Sequence, residues 1–285
     1  MQTDITEKAM LVSLNIRQWS ARKHDKHVSQ QVNAQYGSNG DAGRFNKVLA
    51  TKEALKEIQV AVSAARTFHM EQTLPWGENG ERLLPSRNYN DYSRRMRELK
   101  EDFDRAVDAF VTNYPEVIFE AKRTLGGLFR RGDYPDREEV RDKFAFRTVI
   151  SPVPLADDFR VSLASDEVSA IQKEIEERLA QSNAAATADL WKRLYEVVEH
   201  MVERLSDPGA IFRDSLIGNM VKLTELLPKL NLYDDPRLET MRRRIEASLC
   251  SYSPDQLRKD KTVRKQAATD AWDVLTDMAG YMEAA

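Results

Sequence analysis

Two periods alternate along this chain and assign most of it. In Met10–Arg17, Val12, Leu14 and Ile16 fall on one side and Ser13, Asn15 and Arg17 on the other, which predicts a half-buried strand over 11–16. Phe144, Phe146, Thr148 and Ile150 predict a second strand over 144–150, and Phe159–Leu163 a third over 159–163. A lone hairpin is marginal in water, so the first strand is expected to complete one small antiparallel sheet with the other two.

The remainder carries the helical period. Residues 21–36 read as a polar, basic helix, and about 45–70 as a longer one with Leu49, Ile58, Val62 and Ala65 facing inward. Over 89–113, Tyr92, Met96, Leu99, Phe103, Val107 and Phe110 recur at three- and four-residue steps, a stripe that reads as core. Pro115 suits the first turn of a helix that Gly126-Gly127 weakens or ends by about 130. From Ser165 to Leu205 one pattern runs through Val168, Ile171, Ile175, Leu179, Leu190, Leu194, Val198 and Met201. Unbroken, that helix is about 60 Å long, and Asn183–Thr187 is the patch where a break is expected if there is one. Helices over 209–227, 236–250 and 254–284 follow, divided at Pro228, Asp235-Pro236 and Ser253-Pro254. The expected fold is mainly α with a small antiparallel β-sheet (α+β) and long helices. Residues 1–163 form an N-terminal helical region with the sheet and Gly/Trp loops and 164–285 a C-terminal helical bundle, either separately or as one compact unit.

Composition narrows the class. With 41% hydrophobic and 31% charged residues among 285, the chain is globular, with the charge that long solvated helices require. No apolar run approaches the roughly 20 residues that span a bilayer, so no membrane partner and a cytoplasmic location are expected. Cys250 stands alone, which excludes an intrachain disulfide and a cysteine-based zinc site; a buried structural thiol is the preferred reading. The net charge of −3 hides a gradient: residues 1–100 carry 16 Lys+Arg against 11 Asp+Glu, and residues 152–285 carry 18 against 24. The basic end is therefore the first place to look for a polyanion.

No nucleotide, serine-hydrolase or zinc-protease signature is present, and no cofactor is called for. His24 and His27 have the i, i+3 spacing of two metal ligands on a helix, but Asp25 and Lys26 between them favour solvated surface. Asp157-Asp158 and Asp234-Asp235 read as helix-start acids before catalytic carboxylates. Gly37, Gly40 and Gly43 precede Arg44 and Lys47 and lead toward a helix, an arrangement that suits a phosphate and equally an ordinary turn. Trp76, between Pro75 and Gly77, is either the plug of a folded-back loop, the favoured reading, or a stacking platform. Arg94, Arg95 and Arg97 lie mostly opposite the apolar stripe of their helix. A second basic cluster comprises Arg242–Arg244 with Arg258, Lys259, Lys261, Arg264 and Lys265. Each cluster reads as a phosphate track or as salt-bridged helix surface.

Many short segments are shared with one family: Trp19–Lys23, Ala42–Lys47, Thr73–Gly77, Arg82–Pro85, Asp133–Pro135, Pro152–Pro154, Asp158–Val161, Phe212–Leu216 and Leu227–Asn231. Through them the chain resembles a phage and prophage family of helical proteins catalogued only as a domain of unknown function. The resemblance implies no activity and no site residues. It implies companionship with a MoxR-type or cobaltochelatase-type AAA+ ATPase.

The expectation is a phage-type binding protein and not an enzyme, acting on single-stranded DNA in phage DNA metabolism or transcription. Arg44, Lys47, Arg94, Arg95 and Arg97 are expected on phosphates, with Phe45 or Trp76 stacking on bases. The alternative is a protein adaptor of an AAA+ ATPase. A homo-oligomer remains open, because the long apolar face from Ser165 to Leu205 needs a cover from this chain or from a second copy.

Overall fold

The computed structural model describes residues 5–38, 42–77, 79–156, 165–207 and 209–282. The first elements are α1 (Ile5–Lys8), β1 (Ala9–Arg17), β2 (Arg22–His24), α2 (Lys26–Gln35), β3 (Asn46–Val48) and α3 (Lys56–Gln72). Next come β4 (Leu74–Pro75), β5 (Arg82–Pro85), α4 (Tyr89–Thr112), α5 (Tyr114–Leu125), α6 (Arg137–Arg141) and β6 (Ala145–Ser151). The chain closes with α7 (Ser165–Ser206), α8 (Ser215–Leu230), α9 (Pro236–Ser248), α10 (Pro254–Lys259) and α11 (Lys261–Met282). With 68% of the described residues helical and a small antiparallel four-stranded sheet, the protein is mainly α with long helices. No helix among the described residues is long and apolar enough to cross a membrane.

The chain divides into two compact units that interleave in sequence. Unit 1 holds the residues up to Ser13, Met70–Tyr92 and those from Ile150 onward; unit 2 holds Leu14–His69 and Ser93–Val149. The chain passes between them inside β1, α4 and β6 and at the end of α3.

The predicted strands over 11–16 and 144–150 are β1 and β6, neighbours in a sheet of order β4-β5-β1-β6. The third predicted strand, 159–163, lies outside the described residues. Two sheet strands come instead from Thr73–Pro85, in the region expected to hold the Gly/Trp loops. Leu74, Leu83 and Leu11 align across β4, β5 and β1 and are all buried, so one row of leucines fixes the register.

Unit 1 is organised by α7, a continuous helix of 42 residues with no break at Asn183–Thr187. Its C-terminal part buries Ala186, Leu190, Leu194, Val198, Met201 and Leu205, which join residues of α8, α9 and α11 in one core. Toward its N-terminal end, Val168, Ile171 and Ile175 are only half-buried. Pro228 lies within α8 instead of ending it, while Asp260 divides the predicted 254–284 helix by accepting the Thr262 and Val263 amides at 2.8 and 3.2 Å. Asp235 caps α9 in the same way. Cys250 is half-buried, and burial pushes its thiol pKa up, away from reactivity.

Unit 2 corrects two predicted helices. Residues 21–36 split into β2 and α2, and the helix expected from 45 begins at Lys56, because 46–48 pairs with 22–24 as a strand. That pairing sets Lys23 directly opposite Lys47, a like-charge pair that would repel. Asp133 resolves it by contacting Lys47 through Oδ2 and Lys23 through Oδ1, the latter at 3.6 Å. Asp25 adds a second carboxylate 3.1 Å from Lys47 while capping α2 through the His27 and Val28 amides. The core of unit 2 includes an aromatic cluster: Trp19, Phe110, Tyr114 and Phe144 meet edge-on or tilted at centroid distances of 5.8–6.2 Å.

Leu194 is 1% exposed, so Leu194→Ala is expected to lower unfolding free energy by about 2–5 kcal/mol in urea titration, whereas Ile175→Ala costs far less. Lys47 is 2% exposed, so Lys47→Met strands two carboxylates and is expected to destabilise by about 3–5 kcal/mol. Burial works against the Lys47 charge, but Asp133 and Asp25 outweigh it and raise its pKa. The Val28 amide, and then Lys47, hold the Asp25 carboxyl below the ordinary range. That contribution is complete above pH ~4 and lost as acid protonates Asp25 in the folded state. Urea titrations near pH ~7 and ~3 should therefore show wild-type stability falling with acid, and a smaller fall in Lys47→Met.

Candidate nucleic-acid interface

The structure gives the residues expected on the phosphate track different surroundings. Lys47 is inside the fold, its ammonium between Asp25 and Asp133 and 3.4 Å from the Leu128 carbonyl, so these carboxylates take the charge expected at a phosphate. Phe45 is half-buried; its amide donates to Ser29 Oγ at 2.9 Å and its carbonyl accepts from the Asp25 amide at 2.9 Å. Arg44 is exposed, as are Arg94, Arg95 and Arg97 on α4. Arg95 pairs with Glu98 at 2.7 Å and Arg97 donates to Ser93 Oγ at 3.4 Å. All six belong to unit 2, whereas Trp76 belongs to unit 1. Trp76 packs partly buried against the unit 1 core, and its carbonyl accepts from Ser182 Oγ at 2.7 Å. It has the geometry of a plug.

The glycine segment also differs from expectation. Residues 39–41 lie outside the described chain, and the next element is β3, so no helix N-terminus stands behind the segment to favour a phosphate. Gly43 is fixed by Asn33, which donates to its carbonyl at 3.2 Å; a Cβ there would come within 2.9 Å of Asn33 Oδ1. His24 and His27 do not share a helix face, because His24 is in β2. Its Nε2 is 3.0 Å from Ser29 Oγ, whose one proton goes to the Asp25 carbonyl, so the ring nitrogen donates. No three His, Cys, Asp or Glu residues among those described gather to hold a metal.

The second basic cluster has a different fate. Four carbonyls at and just beyond the C-terminus of α7, those of Arg204, Leu205, Asp207 and Ala210, accept hydrogen bonds from Arg264. Such carbonyls have no partner inside their own helix, and one guanidinium fork serves them together. Arg258 holds the same connection by donating to the Phe212 carbonyl, Asp214 and Asp255. Both guanidinium carbons also stand 5.3 Å from the centroid of the buried Phe212 ring. These arginines are structural.

Two lysines of the same cluster are not. Lys261 and Lys265 line an open cleft of about 650 Å³ with Leu205, Leu257, Ala268 and Trp272. Neither ammonium pairs with a carboxylate among the described residues. At 100° per residue, 261, 265, 268 and 272 fall on one narrow face of α11 and cover about 16 Å of its length. Trp272 is 58% exposed. The lysines also occupy the first turns of α11, where the helix dipole disfavours cations and no acid lies in the first turn. An anion there adds to the neutralisation that the Asp260 cap begins and relieves the i, i+4 repulsion between the two lysines. The available sequence signal was the 4 + 7 spacing from Lys261 through Lys265 to Trp272; what it lacked was the division of the cluster into structural arginines and unpaired lysines.

Comparison of the chain with protein-family models, curated proteins and solved structures finds no match. Arg264 supplies the sharpest local test. In Arg264→Lys a single ammonium cannot span the four carbonyls, so urea titration is expected to show a loss of about 1–3 kcal/mol. A loss under about 0.5 kcal/mol would mean that water serves those carbonyls equally well.

Proposed function

We propose that this protein is a non-enzymatic binder of single-stranded nucleic acid, DNA in the phage setting that the family resemblance implies, and that the α11 cleft is its site. One observation carries the reading: two unpaired lysines, one turn apart, share a helix face with an exposed tryptophan. Lys261 and Lys265 bind successive phosphates, and Trp272 offers a ring on which any base can stack. Among the described residues the cleft lining holds no histidine, cysteine or carboxylate to move a proton, which supports binding over catalysis. Arg44, Arg94, Arg95 and Arg97 contribute general surface charge, and Lys47 leaves the track.

Filter binding of an oligothymidine of about 12 nucleotides across a salt series tests this. Replacing Lys261 and Lys265 with alanine should flatten the log–log salt slope by about 1.4. Trp272→Ala should weaken binding roughly tenfold or more and leave that slope unchanged. Wild-type protein that retains no oligonucleotide at low salt, but captures an AAA+ ATPase, would replace this reading with the adaptor.

A further inference from the structure

Phe212 also lines a second hollow, of about 420 Å³, between the end of α7 and the start of α8. Its apolar floor comprises Val197, Phe212 and Leu216, and Arg204 and Arg213 stand at its edge. Both arginines are exposed, and neither side chain pairs with a carboxylate among the described residues. Two nearby acids are engaged: Glu196, which lines the hollow, is 3.7 Å from Lys192, and Asp214 is held by Arg258. Ile211 is 90% exposed at the rim, an aliphatic surface beside two cations.

Hollow and cleft share one wall. Arg264 lines the cleft, donates to the Arg204 carbonyl and lies over Phe212, which lines the hollow. Arg258 makes the same connection from α10. Arg258 is neutralised by Asp214 and Asp255, whereas Arg264 meets only backbone carbonyls and so leaves a positive charge in the wall, between the lysines on one side and the arginines on the other.

We infer that the hollow is a second subsite for the same strand: a nucleic acid whose base stacks on Trp272 and whose phosphates meet Lys261 and Lys265 continues over the Phe212–Arg264 wall, and its next phosphates meet Arg204 and Arg213. The inference rests on the proposed function. Planar guanidinium forks suit bidentate phosphate contact, and Ile211 and the apolar floor receive the sugar or base edge between them.

The double variant R204A/R213A separates this from the parent reading, because both side chains are exposed and a thermal melt can establish that the fold persists. Binding is measured by filter retention with oligothymidines of about 4 and about 12 nucleotides, the shorter filling the cleft alone. The expected result is an unchanged affinity for the short strand. For the long one, the expected changes are about a tenfold weakening and a salt slope flatter by about 1.4. Equal affinities and slopes for variant and wild type on the long strand would overturn the second subsite and leave the cleft standing. Wild-type protein that retains neither length would overturn both.

Discussion

Carbonyls that helices leave unpaired at their C-terminal ends set the terms for unit 1, and arginines from other elements answer them. Arg193, in the middle of α7, donates to the Met70, Glu71 and Thr73 carbonyls where α3 ends. Arg264, on α11, does the same where α7 ends. Each contact uses a charged donor with several N–H groups in a fixed plane, which a lysine cannot imitate. Between these two anchor points the apolar face of α7 receives α8, α9 and α11. The hairpin of β4 and β5 is held to α7 by the Ser182–Trp76 bond as well as by Arg193, which also serves the Thr73 carbonyl. Trp76 is therefore committed to the scaffold.

In unit 2 the corresponding constraint is electrostatic. The β2–β3 register puts two lysines side by side, and Asp133 and Asp25 close on Lys47 to offset their repulsion. Three segments far apart in sequence, at Lys23, Lys47 and Asp133, thus meet in one cluster. A buried charge so enclosed is costly to unpair, so it acts as a lock on register and not as a contact for an external ligand.

Regional charge pointed toward the N-terminal third, yet the unpaired lysines of the α11 cleft stand in the segment with the most acidic balance. The reason is local. In helices rich in both signs, most cations are consumed by neighbours three or four residues away, as Arg95 is by Glu98 and Arg242 by Glu239 and Glu246. What a polyanion can use is the remainder, and that depends on pairing more than on sum. Lys261 and Lys265 remain because Asp260 serves as the cap of α11, and Asp255 and Asp214 are held by Arg258.

Periodicity alone determined the strands β1 and β6, the stripe from Tyr92 to Phe110 and the apolar face of α7 with its buried Leu194; residue type determined the helix start at Asp235, and only the structure showed α7 unbroken at Asn183–Thr187. These follow from spacing, since a side chain's face is fixed by its position in a regular element. Pairing decided the rest. Residues 46–48 became a strand because 22–24 lay alongside, and Thr73–Pro85 became a hairpin because Leu83 met both Leu74 and Leu11. The same holds for charge: composition counts Lys47, Arg264 and Lys261 alike. Only the tertiary structure made the first a lock, the second a cap and the third an open cation, because each role depends on groups brought near from elsewhere in the chain.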